Sequence, residues 1–181
     1  MINKSEIIKG EDGLYYIKDT GDIFSGTSEA YFDNGQLRFK GSYKNGKVHG
    51  LFEWHHENGQ LRSKQKYKNG KIIDGLYEWF FDNGKLEYRE TYKNGKLHGP
   101  NESFYRNGQL QNRQNFKNGK THGLSEWFTR NGQLNSKTYW NNGKPYGLHE
   151  YFDEKGMTIH TKNYRGCLCV DIKSYIDKLL R

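Results

Sequence analysis

The chain has only two prolines and two cysteines in 181 residues. So little proline leaves strands uninterrupted, because proline removes a ladder hydrogen bond wherever it enters a sheet interior. Two thiols, Cys167 and Cys169, cannot build a disulfide framework or a four-thiolate zinc site. They read as ordinary thiols near the last strand. No apolar run approaches the ~18 residues of a membrane-spanning helix. Met1 to Lys9 lacks the apolar core of a signal peptide, so the expected location is the cytoplasm, provided that this start is the native one.

Aliphatic side chains are scarce as well, and the mean hydropathy is −1.10. That value alone would suggest disorder. Fourteen tyrosines, ten phenylalanines and four tryptophans argue against it, since aromatic rings supply the missing burial. The formal charge of +8 favours anionic partners, but 21 acidic residues are interspersed, so this is not a polybasic tail.

What is abundant is Asn-Gly. The dipeptide occurs ten times, beginning at Asn34, Asn45, Asn58, Asn69, Asn83, Asn94, Asn107, Asn118, Asn131 and Asn142, at alternate spacings of 11 and 13 residues with one of 14. Between runs of alternating polarity, Asn-Gly is the strongest short-range hairpin signal, because a two-residue type I′ turn needs positive φ at both positions. A chain that turns every dozen residues is a ladder of antiparallel strands. Its 24-residue period makes it a repeat array. The expected fold is all-β: an elongated, single-layer antiparallel array of β-hairpins with a short C-terminal capping helix.

Six units of about 24 residues occupy 26–166, starting at Gly26, Gly50, Gly75, Gly99, Gly123 and Gly147. Residues 1–25 read as a degenerate capping hairpin around Thr20-Gly21. Residues 167–181 carry the helix, with Asp171 as N-cap and an apolar stripe of Ile172, Tyr175, Ile176 and Leu179. Between units two and three, Ile72-Ile73-Asp74 holds one extra residue, which reads as a bulge or a longer link.

Counting outward from Asn58-Gly59 predicts His56 opposite Leu61, Trp54 opposite Ser63, Glu53 opposite Lys64 and Gly50 opposite Tyr67. Alternation then sorts side chains onto two faces. The apolar face is expected to hold Phe52, the column Trp54, Trp79, Trp127 and Tyr151, and the leucines 37, 61, 86, 110 and 134. The column Tyr43, Tyr67, Tyr92, Phe116, Trp140 and Tyr164 completes it. Arg62 is expected on the other, charged face. There Glu29, Glu53, Glu78, Glu102 and Glu126 oppose Lys40, Lys64, Arg89, Arg113 and Lys137, while Glu150 meets Thr161 and breaks the pattern. Each opposed pair contributes ~0.2–1 kcal/mol. Copies of one carboxylate environment do not make an acid–base pair.

These units resemble MORN repeats. The segments Lys44-Asn45-Gly46-Lys47-Val48-His49-Gly50, 93–99 and 117–123 look like that family's Lys-Asn-Gly-Lys-x-x-Gly core. The second Asn-Gly of each unit is similar to the bacterial MORN-repeat variant known as the YwqK-type antitoxin family of toxin–antitoxin systems. The resemblance spans about residues 14–166. It implies a scaffold that binds proteins, with some affinity for lipid in classical members and an antitoxin role in the bacterial ones.

Two features exceed what folding requires. The first is a lysine edge, where the turns between units carry Lys44 and Lys47, Lys68 and Lys71, Lys93 and Lys96, Lys117 and Lys120, then Lys144. These give nearly two ammoniums every ~9.6 Å at normal strand spacing. The opposite edge carries Asp33, Glu57, Asp82, Arg106 and Arg130. The edge serves either solubility and protection against edge pairing or anion binding. The second is an aromatic row on the charged face, Tyr31, His55, Phe80, Phe104, Phe128 and Phe152. It either fills a twisted sheet or offers a protein-recognition groove or a stacking platform for single-stranded nucleic acid.

His49, His98 and His122 share a column, too far apart to converge on one metal. No nucleophile triad or phosphate loop occurs, so neither an enzyme nor a cofactor is expected. The leading expectation is a non-catalytic protein-binding scaffold, an antitoxin or immunity protein that covers a partner such as a cognate toxin. The alternative is a binder of nucleic acid or acidic phospholipid through the lysine edge.

Overall fold

The computed structural model describes residues 2–164. The cysteine pair and the expected C-terminal helix lie outside the described residues. Within them the chain is a long antiparallel array of hairpins. The strand pairs are Gly26–Tyr31 with Leu37–Lys44, Lys47–His55 with Leu61–Lys68, and Gly75–Phe80 with Leu86–Lys93. Lys96–Phe104 with Leu110–Lys117, Gly123–Phe128 with Leu134–Asn141, and Lys144–Phe152 with Thr158–Tyr164 follow. Each hairpin pairs with the next, so one 15-stranded sheet runs through the described residues.

Asn-Gly turns the chain in two different ways. At Asn45, Asn69, Asn94, Asn118 and Asn142, between hairpins, φ is 49 to 53° and the following glycine is also positive. These are the expected two-residue turns. Within the hairpins only the glycine is left-handed, at Gly35, Gly59, Gly84, Gly108 and Gly132. There the loop is one residue longer: the Gly59 N–H donates to the His56 carbonyl at 2.9 Å, and the His56 N–H to Gln60 at 2.8 Å. This is a three-residue loop closed by a glycine bulge. The sixth hairpin makes it at Gly156, φ 78°, without any asparagine.

The longer loop corrects the register near the turn. Trp54 does face Ser63, Glu53 faces Lys64 and Gly50 faces Tyr67, but Leu61 faces His55, not His56. Arg62 is then left as an extra residue between the His55–Leu61 and Trp54–Ser63 pairs, a second bulge that restores the register. Because side chains alternate with period two, that single step carries Leu37, Leu61, Leu86, Leu110 and Leu134 off the tryptophan face. They lie opposite Tyr31, His55, Phe80, Phe104 and Phe128. Arg62 moves the other way and lines the depression beside Trp54, Trp79 and Tyr88.

Both sheet edges are stitched along the array. The Gly46, Gly70, Gly119 and Gly143 N–H groups donate to Phe24, Val48, Leu97 and Thr121 carbonyls at 2.8–2.9 Å. On the opposite edge the turn asparagines serve as side-chain donors. Asn34, Asn58, Asn83 and Asn107 reach the Glu57, Asp82, Arg106 and Arg130 carbonyls at 2.6–3.2 Å. The extra residue at 72–74 interrupts the first series. Ile73 O instead accepts from the Tyr77 hydroxyl at 2.6 Å, and the neighbouring strands keep one register pair, Ser63 with Trp79.

The core sits at the N-terminal end, where Ile7, Phe24, Phe39, Tyr43 and Phe52 are buried together. Residues 2–24 fold onto the tryptophan side of the first two hairpins. Ile2–Asn3 adds a parallel strand beside Gly26–Tyr31, and Ile7–Lys9 pairs with Tyr15–Ile17. Gly41 is needed where Phe39 and Phe52 meet: a Cβ there would come within 2.5 and 2.6 Å of their rings.

Candidate binding surfaces

The acidic and basic side chains form a cross-strand row, paired at every step except that from Lys64 to Glu78, where only the neighbouring Ser63 and Trp79 are in register. It runs Glu29, Lys40, Glu53, Lys64, then Glu78, Arg89, Glu102, Arg113, Glu126, Lys137 and Glu150, ending at Thr161. Three of the five expected pairs close within their hairpins: Lys40–Glu29 and Lys64–Glu53 at 2.8 Å, and Arg113–Glu102 at 2.9 Å. The other two shift. Arg89 turns to Glu102 at 2.5 Å, and Lys137 to Glu150 at 2.8 Å, which gives the last glutamate a partner after all. A base in such a row has an acid on both sides, so hairpin geometry alone cannot assign it. Burial pushes the Glu102 carboxyl up, but the two guanidiniums beside it outweigh that and hold it below the usual range. Lys40 and the Tyr31 hydroxyl likewise hold Glu29 low.

The aromatic row lies beside this ladder. Tyr31 is 53% exposed, while His55, Phe80, Phe104, Phe128 and Phe152 are half-buried, the first four of these against the leucines that the bulge delivers. Arg89 lies over the Phe104 ring at 5.9 Å and Lys137 over Phe152 at 5.3 Å. The row is therefore a mixed surface in which rings, leucines and ion pairs share one face. Sequence counting placed the rings on this face but missed the leucines.

The lysine edge is exposed throughout: Lys44, Lys47, Lys68, Lys71, Lys93, Lys96, Lys117, Lys120 and Lys144. Lys44 stands directly opposite Lys47, Lys68 opposite Lys71, Lys93 opposite Lys96, and Lys117 opposite Lys120. Like charges in that relation destabilise a sheet, and none of these ammoniums takes part in an ion pair among the described residues.

The histidine column does not gather. His49 meets the Asn69 side chain at 3.2 Å, and no group of three or more His, Cys, Asp or Glu among the described residues could hold a metal ion. No helix among them is long and apolar enough to cross a membrane.

With turns, ladder and stacked units in place, the repeat can be matched as a unit. The model of the MORN repeat variant fits residues 25–45, 48–69, 73–94, 97–118 and 121–142. The chain belongs to the MORN repeat variant family. No curated protein matches it. Among solved structures, a mutant of S. aureus TarM in complex with Fondaparinux, alpha-GlcNAc-glycerol and UDP is 16% identical over 54% of this chain, with a TM-score of 0.35. TarM itself is 17% identical over 54%, with 0.34. A GtfA/B complex bound to UDP and GlcNAc is 12% identical over 94%, with 0.19. The chain spans 19% of the length of each TarM chain and 26% of the GtfA/B chain. The sixth hairpin and residues 2–24 lie outside the matched repeats.

Proposed function

We propose that this MORN-repeat chain is a non-catalytic scaffold that binds another protein, as an antitoxin or immunity protein that covers a partner's active surface. Repeats of this class are protein- and membrane-binding motifs. The observation that carries the reading is the set of four opposed lysine pairs, exposed and without an ion pair among the described residues. Folding does not call for them, whereas an acidic partner would be steered by them. The aromatic row gives the same partner a surface of rings in register with the repeat. The half-burial of all its members but Tyr31 keeps those rings rigid, so little side-chain entropy is lost on contact.

The test is co-purification from the source cell at low and high salt, followed by an activity assay of the captured protein with and without the chain. A single protein held at both salts and silenced by the chain is the expected result. A stable complex whose partner keeps full activity would sink the antitoxin part.

The same lysine pairs favour a second reading, a binder of nucleic acid or acidic phospholipid. It requires affinity that falls steeply with salt. It also requires loss of binding when Lys93, Lys96, Lys117 and Lys120 are replaced by serine.

A further inference from the structure

Between residues 2–24 and the first two hairpins lies an open cleft of about 790 Å³, within the size range of small-molecule sites. Seven of its lining residues are Phe, Tyr or Trp, with Phe39, Tyr43 and Trp54 among them; Lys4, Arg38 and Arg62 bring positive charge, His55 also lines it, and none is acidic. That balance is unusual in a chain whose other face alternates acid and base along one row.

None of the three cations is neutralised. No ion pair among the described residues includes Lys4, Arg38 or Arg62. The Lys4 ammonium lies 4.6 Å from the Tyr15 ring centre and 5.8 Å from that of Tyr43. Burial pushes its pKa down, as befits a charge that lacks an anion. Arg38 sits over the Phe32 ring at 5.7 Å, which leaves the guanidinium edge, with its fork of donors, to a ligand. Tyr43 is 5% exposed, and its hydroxyl makes none of the side-chain hydrogen bonds among the described residues. Burial raises its pKa, so it stays protonated and remains a donor.

The position of the two arginines follows from the longer loop and the second bulge that comes after it. In a two-residue turn Arg38 and Arg62 would point to the ladder face and join its ion pairs. The extra residue turns them onto the tryptophan side, where they border an aromatic floor. In the four later hairpins the same bulge position holds Glu87, Gln111, Asn135 and Ile159. Only the first two hairpins, the ones that residues 2–24 cover, carry arginine there.

We propose that this cleft binds a small flat-ring anion, an aromatic or fused ring bearing a phosphate or a carboxylate. The ring stacks among Phe39, Trp54 and their neighbours, and the anionic group meets Arg38, Arg62 and Lys4. Two sources share that chemistry, a nucleoside monophosphate and an aryl carboxylate. The planar fork of arginine suits either group through paired hydrogen bonds.

Titration calorimetry on the full chain tests it with four probes: AMP, 1-naphthoate, adenosine and inorganic phosphate. Saturable sub-millimolar binding is expected for AMP or for 1-naphthoate, and whichever binds names the source. Adenosine and inorganic phosphate, each carrying half of the chemistry, should bind at least about tenfold more weakly, a difference of ~1.4 kcal/mol. Arg38→Gln with Arg62→Gln should weaken the binding by a similar factor. Both side chains are exposed, so the variant should keep its fold, checked by its circular dichroism and melting temperature. Lys4→Gln is a second, independent variant with the same expected direction. Lys155→Ser, exposed in the loop of the sixth hairpin and remote from the cleft, should change nothing. No saturation by either ring anion, equal binding of inorganic phosphate, or affinity untouched by the arginine changes would each overturn the proposal.

Discussion

Replacing asparagine by glycine should be nearly neutral at one kind of Asn-Gly turn and costly at the other. Asn118 lies between hairpins with φ at 53°, a conformation that glycine adopts without strain. Asn118→Gly should therefore shift stability by less than about 0.5 kcal/mol, the gain from relieved strain offsetting the extra freedom of the unfolded chain. Asn107 lies within a hairpin, and its side chain does two jobs. It accepts from the Gln109 N–H at 3.0 Å and donates to the Arg130 carbonyl of the next hairpin at 2.8 Å. Losing two such bonds at ~0.5–1.5 kcal/mol each, with a glycine entropy cost of ~0.5–1 kcal/mol, suggests a loss of about 2 kcal/mol once solvent exposure is allowed for. At this chain length that is a drop in melting temperature of roughly 4–8 °C. Calorimetry on both variants reads the difference. Hydrogen exchange at the Gln109 amide localises it, since only Asn107→Gly should speed that site. Equal effects of the two substitutions would refute the assignment of two turn mechanisms.

Three further outcomes follow from the same geometry. Glu102, 6% exposed and held by Arg89 and Arg113, should cost ~2–3 kcal/mol on change to Gln. That is below the usual ~3–5 for breaking a buried pair, because both guanidiniums reach water. Glu53→Gln, which loses one exposed lysine, should cost under ~1 kcal/mol, and urea titration of both variants reads the difference. Glu29 and Glu102 have folded pKa values below their unfolded ones. Their contribution should be complete above the unfolded value of ~4.3 and fade as pH falls through the folded values, so urea midpoints equal at pH 7 and pH 3 would contradict it. Phe52, 4% exposed with its ring 5.2–5.8 Å from those of Phe39, Tyr43, Trp54 and Tyr67, should lose ~3–5 kcal/mol on truncation to alanine. The half-buried Phe128 should lose visibly less, and a reversed order in thermal melts would move the core away from the N-terminal end.

The local code of this chain is strong enough to dictate its path. Asn-Gly every dozen residues, with aromatic and charged side chains alternating between, leaves the backbone one economical course. The strand partners and the Glu–Lys/Arg columns follow by counting, because a two-period element has only one register that keeps its rings together. Counting failed where one dipeptide serves two purposes. Between hairpins Asn supplies positive φ. Within them it supplies a side-chain amide for the neighbouring carbonyl. A residue cannot announce which until the neighbouring hairpin is present to accept the bond. The one-residue difference in loop length then decided which face received Leu61 and which received Arg62. The exchange of Arg89 and Lys137 between hairpins is likewise tertiary, since each base has an acid on either side and only packing selects one. The cleft beneath residues 2–24 belongs to the same class. Its rings and cations come from the N-terminal segment and two separate hairpins, and no periodicity brings them together until the cap folds over the sheet.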